Sequence, residues 1–554
     1  MGVTRRLALP AVSAGLALLM LAPLLGRGFV LSYDMVFAPR QALVPDAFGL
    51  GSSLARSVPA DAVAALATAV LPGDVVQKLV LVLSVFFAAY GAGRLVPTES
   101  LGIRVVAATG YAWTAYFAER LFIGHWPLLI TYACLPWIVQ AGLKLREQPK
   151  ALAHLVLACA PAMLTPPGGV LAAATAVVAA GPRKAWQTLS VAVLLNLPWL
   201  VPTLTRPGSS LSDPAGVAAF SARPESWGPA ILSVLGLGGI WNGDVVPESR
   251  SGPIAPVLIL ITLGIAAFGV KTLARRWGVA PARSLVLLGV CGVLLASLAT
   301  LPLGEPVLTW AVSHVPGAGL LRDAQKWVAW LALPLALGFA LAVETAARRA
   351  KGVVVVAAVF PLIVMPDLAF AGWGRLETVQ YPDDWRAVHD LLAADDRPGD
   401  VLAVPFSTFR VFRWNDFRTQ FDPAPRALPK TVLIDDTLRV GDQVISGEDT
   451  RLARIRQAKS ARELALEGIG WILVEHGTPG RVDPALLEGA VPVWSGPWLT
   501  LYRTPVAPAV REVSWTGVLL ANGVALTTIM AALLCSMLPM RRLSPGRISL
   551  PQKE

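Results

Sequence analysis

Long runs of apolar residues recur along most of this chain, and each approaches the length that a helix needs to cross a bilayer, about 20 residues. The first run, residues 7–25, follows Arg5 and Arg6, as in a signal peptide, but no small-x-small cleavage site comes after it, so we expect a retained helix. The pattern predicts twelve transmembrane helices, over residues 7–25, 76–96, 102–120, 126–145, 151–165, 168–181, 186–204, 254–274, 284–302, 326–346, 352–369 and 514–538.

Two of these segments, residues 151–165 and 168–181, are short for a full crossing. A Thr-Pro-Pro-Gly-Gly sequence separates them. They form either two spans or one re-entrant helical hairpin. Both arrangements give every later helix the same orientation.

Basic residues cluster at short junctions between alternate helices, and this distribution predicts the orientation, because Lys and Arg are enriched in short cytoplasmic loops. With a cytoplasmic N-terminus, every major cluster falls inside, including the tail, residues 539–554. The clusters are Lys144, Arg146 and Lys150; Arg183 and Lys184; Arg275, Arg276 and Arg283; Arg348, Arg349 and Lys351; and Arg541, Arg542 and Arg547. We therefore predict a multi-pass protein of the plasma membrane with both termini in the cytoplasm.

Alternation also places four longer segments outside. Three are loops of the membrane domain, which we assign to residues 1–369, and the fourth is long enough to be a domain. The segments are residues 27–75, 205–253, 303–325 and 370–513. Within the last, apolar spacing predicts helices over 383–394 and 451–466, strands at 401–404 and 471–474, and a hairpin within 491–503. The predicted fold is an all-α membrane bundle with a small extracytoplasmic α/β domain.

Composition excludes an ordinary soluble enzyme, since 55% of residues are hydrophobic and only 15% are charged. The net charge of +11 arises mainly in the predicted membrane part, where it reports orientation, so we predict no nucleic-acid partner. No Walker loop, dinucleotide fingerprint, nucleophile elbow or HExxH motif occurs, which removes support for nucleotide-driven, hydride-transfer and zinc-protease functions.

A carboxylate directly after the first helix is the leading catalytic candidate. Asp34 lies among apolar neighbours at the predicted outer boundary of the membrane, where it could act as a general base for a sugar hydroxyl, with Arg40 nearby. Alternatively, Asp34 caps a helix or pairs with Arg40.

Polar residues at the end of the third predicted helix and the start of the fourth are candidates to line a cavity. Ionisable groups within a membrane usually face the interior of the helix bundle or a water-filled cavity. The candidates are Glu119, Arg120, His125 and Trp126. In the alternative, Glu119 pairs with Arg120 or with another charge, and Trp126 anchors the membrane interface. His125 has no second ligand at zinc spacing.

Two cations at the mouth of the tenth predicted helix, Arg322 and Lys326, are candidates to bind a lipid phosphate, with Arg40 as a further one. The alternative is ordinary snorkelling toward the interface.

Aromatic residues beside polar ones suggest sugar contacts in two places. Trp241 and Asp244 would contact substrate, although interfacial loops also collect Trp. Arg413 and Trp414 would bind the acceptor, although a strand facing the core explains the same pattern.

Several segments together resemble an actinobacterial membrane-protein family related to the arabinofuranosyltransferases of cell-wall arabinan, within the GT-C class of polytopic glycosyltransferases. They are residues 33–41 (YDMVFAPRQ), 124–137 (GHWPLLITYACLPW), 321–327 (LRDAQKW), 384–389 (DWRAVH) and 398–402 (PGDVL). The resemblance implies transfer of a sugar, with inversion, from a polyprenyl-phosphate donor to a cell-envelope glycan or lipid acceptor on the outer face, among membrane lipids. Asp34 would then be the base, and Arg322 with Lys326 would bind the phosphate.

Relatives often carry two adjacent aspartates in this first loop, whereas Tyr33 and Met35 flank Asp34 here. The sequence therefore indicates no certain cofactor, and it leaves a divalent metal open as an alternative without supporting a metal ligand set. Two other functions agree with the same pattern of helices, a lipid or polysaccharide transporter and a non-catalytic scaffold for envelope assembly. A transporter would usually bury its ionisable residues at mid-membrane, whereas here they cluster at the outer ends.

Overall fold

The apolar runs form helices that pack side by side, and the polar segments gather at one end of them. The computed structural model describes residues 2–205, 211–509 and 513–537. The predicted cytoplasmic tail, residues 539–554, lies outside the described residues. The helices of at least eight residues are α1 (Gly2–Leu21), α2 (Ala60–Val70), α3 (Gly73–Leu95), α4 (Leu101–Ala112), α5 (Ala115–Phe122), α6 (Trp126–Leu145), α7 (Ala151–Cys159), α8 (Pro166–Ala180), α9 (Ala185–Thr205), α10 (Ala255–Trp277), α11 (Val279–Ser297), α12 (Gly304–His314), α13 (Ala329–Ala347), α14 (Val353–Val364), α15 (Asp383–Ala394) and α16 (Thr516–Met537).

Eight helices among the described residues are long and apolar enough to cross a membrane, which supports a multi-pass membrane protein. They are Arg6–Leu25, Gly73–Leu95, Trp126–Leu145, Pro182–Thr205, Ala255–Trp277, Val279–Thr300, Ala324–Ala347 and Thr516–Met537. The remaining four of the twelve predicted spans contain only shorter helices, so the count of twelve is not confirmed. The predicted single helix over residues 102–120 is two helices, α4 and α5, because the chain leaves helical geometry at Trp113 and Thr114.

Small residues bring the helices of the bundle close together. A Cβ on Gly269 of α10 would lie 1.8 Å from the carbonyl oxygen of Gly338 on α13, so only glycine permits this approach. The last helix, α16, packs against α7 and α9 and so returns to the same bundle. Helix α6 starts beside the polar segments, ends at Leu145 and carries Lys144 in its last turn.

The segment between α14 and α16 contains a mixed five-stranded sheet. Its strands are β3 (Asp400–Val404), β6 (Val432–Leu433), β9 (Ile469–Glu475), β10 (Val491–Ser495) and β11 (Leu499–Arg503), in the order β10-β11-β9-β3-β6. Strand β3 runs parallel to β6 and β9, and β11 runs antiparallel to β9 and β10. Two-stranded pairs join β1 (Phe29–Val30) with β2 (Thr378–Val379), β4 (Phe409–Val411) with β5 (Thr419–Phe421), and β7 (Leu438–Val440) with β8 (Gln443–Ile445).

The local predictions for this segment agree with the structure except at one helix. Helix α15, strands β3 and β9 and the β10–β11 hairpin lie where predicted. The predicted helix over residues 451–466 is two short helices, Leu452–Ile455 and Ala461–Leu466. The second helix starts anew because the Ser460 side chain accepts a hydrogen bond from the backbone N–H of Glu463, as an N-cap does.

The sheet-bearing segment is joined to the first predicted outer loop through backbone hydrogen bonds. Strand β1 pairs with β2, directly after α1. The N–H of Tyr33 donates to the carbonyl of Thr419 (2.7 Å), and the N–H of Phe421 donates to the carbonyl of Tyr33 (2.7 Å). Asn415 adds a side-chain hydrogen bond to the carbonyl of Leu31 (3.0 Å). The loop that carries Asp34 is therefore fixed from both sides, by the helices and by the strands of the sheet-bearing segment.

Candidate functional site

Asp34 lies in a tight turn that rests against the junction between α5 and α6. Its N–H donates to the carbonyl of Ile123 (3.0 Å), and the N–H of Met35 donates to that of Ser32 (2.9 Å). Gly124 makes this approach possible, because its φ is +83° and a Cβ there would lie 2.0 Å from the nitrogen of Met35. This glycine brings Asp34 beside the first turn of α6.

His125, at the start of α6, joins Asp34 to a buried arginine. Its Nε2 lies 3.2 Å from Oδ2 of Asp34, and its Nδ1 lies 2.8 Å from Nη1 of Arg120. Arginine stays protonated and can only donate, so Nδ1 must accept and Nε2 must carry the proton. His125 is therefore a neutral imidazole that donates its Nε2–H to the Asp34 carboxylate. The Asp34 side chain remains 42% exposed, which leaves it accessible to a substrate.

Arg120 is fully buried and holds together three segments of the chain. Its Nη1 lies 3.2 Å from Oδ2 of Asp323, and its Nη2 donates to Oε1 of Gln325. Gln325 in turn donates to Oε2 of Glu119 (3.1 Å) and to the carbonyl of Gly238 (3.1 Å). The network therefore links α5 with the second and third predicted outer loops. Glu119 does not pair with Arg120, which was one of the alternatives.

Asp323 lies at the far end of the hydrogen-bonded series Asp34–His125–Arg120–Asp323. Burial raises the pKa of Asp323, but the charges of Arg120 and Lys326 more than offset this effect and lower it to about 2. The Asp323 carboxylate is therefore ionised at neutral pH and balances the charge of Arg120.

Lys326 is a buried cation beside this series. Its side chain is only 6% exposed, and within residues 2–205, 211–509 and 513–537 no acidic side chain forms an ion pair with it. Its Nζ lies 5.6 Å from the centre of the Trp327 ring, and it is within electrostatic range of Asp323 and Arg120. An ammonium that has lost most of its water without gaining a partner is costly, which favours an anionic ligand at this position.

Arg322 faces a different part of the molecule. Its Nη2 lies 3.0 Å from Oε1 of Glu448 in the sheet-bearing segment, and its guanidinium lies over the ring of Phe220, 5.7 Å from the ring centre. Glu448 also pairs with Arg56 of the first outer loop. Arg322 therefore already has an ion-pair partner, in contrast to Lys326.

Asp244 and Tyr33 border the site on the other side. The hydroxyl of Tyr33 donates to Oδ2 of Asp244 (3.4 Å). Burial and the charge of Asp244 raise the pKa of Tyr33, so its phenol stays protonated. Asp244 therefore contacts Tyr33, the residue before Asp34 in the chain, whereas Trp241 packs edge-on against Phe220.

The other predicted site residues lie apart from Asp34. Arg40 is exposed and forms no ion pair with Asp34, whose partner is His125. Trp126 is buried with its ring 5.0 Å from that of Phe37, so it supports the first loop. Arg413 is exposed, while the neighbouring Trp414 stacks on Phe412 (ring centres 5.0 Å apart).

Three residues of the site were absent from the sequence prediction: Tyr33, Asp323 and Gln325. Each lies beside a residue that was selected, and all three belong to the quoted segments 33–41 and 321–327. A signal was therefore present in the motifs, but residues 323 and 325 contact Arg120 only because the third outer loop folds back on α5. Among the described residues, no group of three or more His, Cys, Asp or Glu side chains could hold a metal ion.

Comparison with known proteins finds a match to a family model. Residues 241–444 match the family model of the N-terminal GT-C domain of alpha-(1→3)-arabinofuranosyltransferase, AftD. This stretch contains Asp244, Asp323 and Lys326, but neither Asp34 nor His125. No curated protein matches the chain.

Several solved structures also match this chain, among them the following two. The mycobacterial arabinofuranosyltransferase AftD is 18% identical, with a TM-score of 0.56, and the match covers 90% of this chain and 40% of that one. The oligosaccharyltransferase of Archaeoglobus fulgidus is 11% identical, with a TM-score of 0.36, over 90% of this chain and 73% of that one. The predicted resemblance to GT-C class arabinofuranosyltransferases is confirmed. The present chain spans about two fifths of the length of the mycobacterial relative, and the likeness between the two structures is one of fold.

Proposed function

We propose that this protein is a membrane glycosyltransferase that moves a sugar, arabinofuranose by analogy with its relatives, from a polyprenyl-phosphate donor to a hydroxyl group of a cell-envelope glycan or lipid. One observation carries the proposal. A half-exposed carboxylate, Asp34, and a buried unpaired ammonium, Lys326, flank the same hydrogen-bonded series. Transfer from a phosphate donor needs these two groups, a base for the acceptor and a cation for the leaving phosphate.

Asp34 is the proposed general base. As the acceptor oxygen attacks the anomeric carbon, its proton passes to the free oxygen of the Asp34 carboxylate. His125 holds the other oxygen through its Nε2–H and cannot itself take the proton easily, because Arg120 occupies Nδ1. Protonation would put a positive charge on the imidazole ring, whose Nδ1 lies 2.8 Å from Nη1 of the positively charged Arg120. His125 is thus a positioning residue, and Asp34 is the group that gains the proton.

Lys326 is the proposed contact for the donor phosphate. The bond between the anomeric carbon and the phosphate oxygen breaks as the new glycosidic bond forms, and the leaving phosphate gains negative charge. An unpaired ammonium nearby stabilises this charge more in the transition state than in the ground state, so it raises the rate. Arg322 is a weaker candidate because Glu448 already neutralises it. We retain Arg413 as an exposed candidate for acceptor binding.

The decisive experiment measures sugar transfer by the purified full chain in liposomes, from a synthetic polyprenyl-phosphate arabinofuranose to an oligo-arabinoside. We expect Asp34→Asn to lower the rate by about 10²–10⁴-fold, the usual effect of losing a general base, with unchanged thermal stability. Asp390→Asn, an exposed carboxylate on α15, is the matched control and should retain full activity. Full activity of Asp34→Asn would exclude Asp34 from the mechanism. If the wild-type chain transfers sugar from no polyprenyl-phosphate donor, the proposed function is wrong.

A further inference from the structure

Helix α12, in the third predicted outer loop, has two apolar faces, and only one is covered by protein. Leu308 and Val312 are buried and pack with Val217, Ala299 and Ala318. On the other side, Leu303, Val307 and Trp310 follow the spacing i, i+4, i+7 of one helical face, with 84%, 60% and 60% of their surfaces exposed. We call these three residues the leaflet face.

The leaflet face continues the lipid-facing surface of a membrane-spanning helix. Helix α11 exposes Leu287, Val290 and Leu294, and the chain passes from it through Leu301 directly into α12. The bend between the two helices forms an open, shallow depression of about 520 Å³ with a wholly apolar lining, made by Leu298, Leu301, Pro302, Leu303, Gly304 and Val307. Such a contiguous apolar surface is unfavourable in water.

We propose that the leaflet face lies in the bilayer, with its side chains among the acyl chains of the leaflet on the Asp34 side. Because α12 follows a spanning helix after only three residues, it starts at the membrane boundary. Its exposed face is apolar and ends at His314, which stacks on Trp310 (ring centres 5.3 Å apart), an aromatic pair suited to the interface. The occupant that fits this surface is the bilayer itself.

This contact fixes the depth of the third outer loop. The chain runs from α12 through a short turn to Arg322, Asp323 and Lys326, so a helix held in the leaflet keeps these charges close to the headgroups. The inference concerns membrane contact and does not depend on the transfer reaction.

Spin-label accessibility tests the proposal in the full chain. Nitroxides are placed at Val307→Cys and Trp310→Cys, after Cys134, Cys159, Cys291 and Cys535 are replaced by alanine, in nanodiscs of phosphatidylethanolamine and phosphatidylglycerol. Glu305→Cys is the matched control, because Glu305 is exposed and lies about 160° around the helix from Val307. Thermal unfolding before labelling verifies that each variant is folded.

Nitroxides at positions 307 and 310 should collide with lipid-soluble oxygen several-fold more often than with a water-soluble nickel chelate. The nitroxide at position 305 should collide more often with the nickel chelate. Equal access of the nickel chelate to positions 307 and 305 would overturn the proposal, because the leaflet face would then be in water. Exclusion of both reagents from 307 and 310 would also overturn it, and would assign the face to a second copy of the chain.

Discussion

The Nε2 atom of His125 lies 3.2 Å from Oδ2 of Asp34. A residue at the start of α6 therefore orients a carboxylate in the loop that follows α1. If His125 only positions Asp34, replacing it should slow the chemical step without changing the binding of donor or acceptor. We expect His125→Leu to lower kcat about tenfold with little change in KM, since one charge-assisted hydrogen bond contributes about 1.5–3 kcal/mol when buried and less here.

His125→Gln separates positioning from a general effect on the fold, because its amide can still donate to Asp34. It should recover part of the lost kcat. Steady-state kinetics on the three proteins decides between these roles. An equal loss in both variants, or a change confined to KM, would contradict the positioning role.

Lys326 and Arg322 offer a direct comparison between an unpaired and a paired cation. Lys326→Gln should weaken donor binding by about 10–100-fold and leave thermal stability unchanged or higher, because it removes a buried charge that has no partner. Arg322→Gln should have the opposite effects. It should lower thermal stability, because Glu448 loses an ion-pair partner, and it should leave donor binding near the wild-type value. Binding of a polyprenyl-phosphate sugar and thermal unfolding are both measured. The assignment of the phosphate site to Lys326 fails if the two variants bind donor equally well.

Gly124 should be essential for the site, although it has no functional group. In Gly124→Ala the new Cβ would meet the backbone of Met35, so the Asp34 turn must move away from His125. We expect a stability loss of at least about 1–2 kcal/mol, the usual cost of a non-glycine residue at positive φ, and a loss of activity at least as large as that of His125→Leu. Gly110→Ala is the control, because open space surrounds Gly110 within α4 and alanine favours helix. Similar behaviour of both variants in activity and unfolding assays would refute this role of Gly124.

The Asp323 carboxylate should make stability depend on pH in the acid range. Because its pKa is lowered to about 2 in the folded protein, against about 3.9 in an unfolded chain, ionised Asp323 stabilises the fold above pH 4. This contribution, about 2–3 kcal/mol, should decrease progressively as the pH falls from about 5 through 2. Unfolding of wild type and Asp323→Asn between pH 7 and 2.5 measures it. The stability difference between the two should shrink below pH 4, and a constant difference would contradict the ionised state of Asp323.

The orientation in the membrane remains a prediction that chemical labelling can test. Asp442, at the exposed tip of the β7–β8 hairpin, should be outside the cell. Arg349, which follows the C-terminal end of α13, should be in the cytoplasm. In intact cells, a cysteine at position 442 should react with an impermeant maleimide and one at 349 should react only after the membrane is opened. The reverse pattern would invert the topology.

The sequence alone determined the features that depend on neighbouring residues. Apolar runs predicted the long membrane helices, and helical or alternating spacing predicted α15, β3, β9 and the β10–β11 hairpin, because burial of a side chain follows a local period. The same local information was insufficient at residues 451–466, where the Ser460 cap starts a second helix, and at Trp113 and Thr114, where an apolar run breaks into two.

Tertiary structure alone decided which polar residues meet. Asp34, His125 and Asp323 come from three separate segments of the chain, and they are joined through Arg120 because Gly124 lets two backbones touch and the segment before α13 folds back on α5. The sequence selected Arg322 and Lys326 as one pair, but the fold turns Arg322 toward Glu448 and leaves Lys326 unpaired. An apolar sequence context shows that burying a charge there is costly. Which residue neutralises that charge depends on distances that exist only in the folded chain.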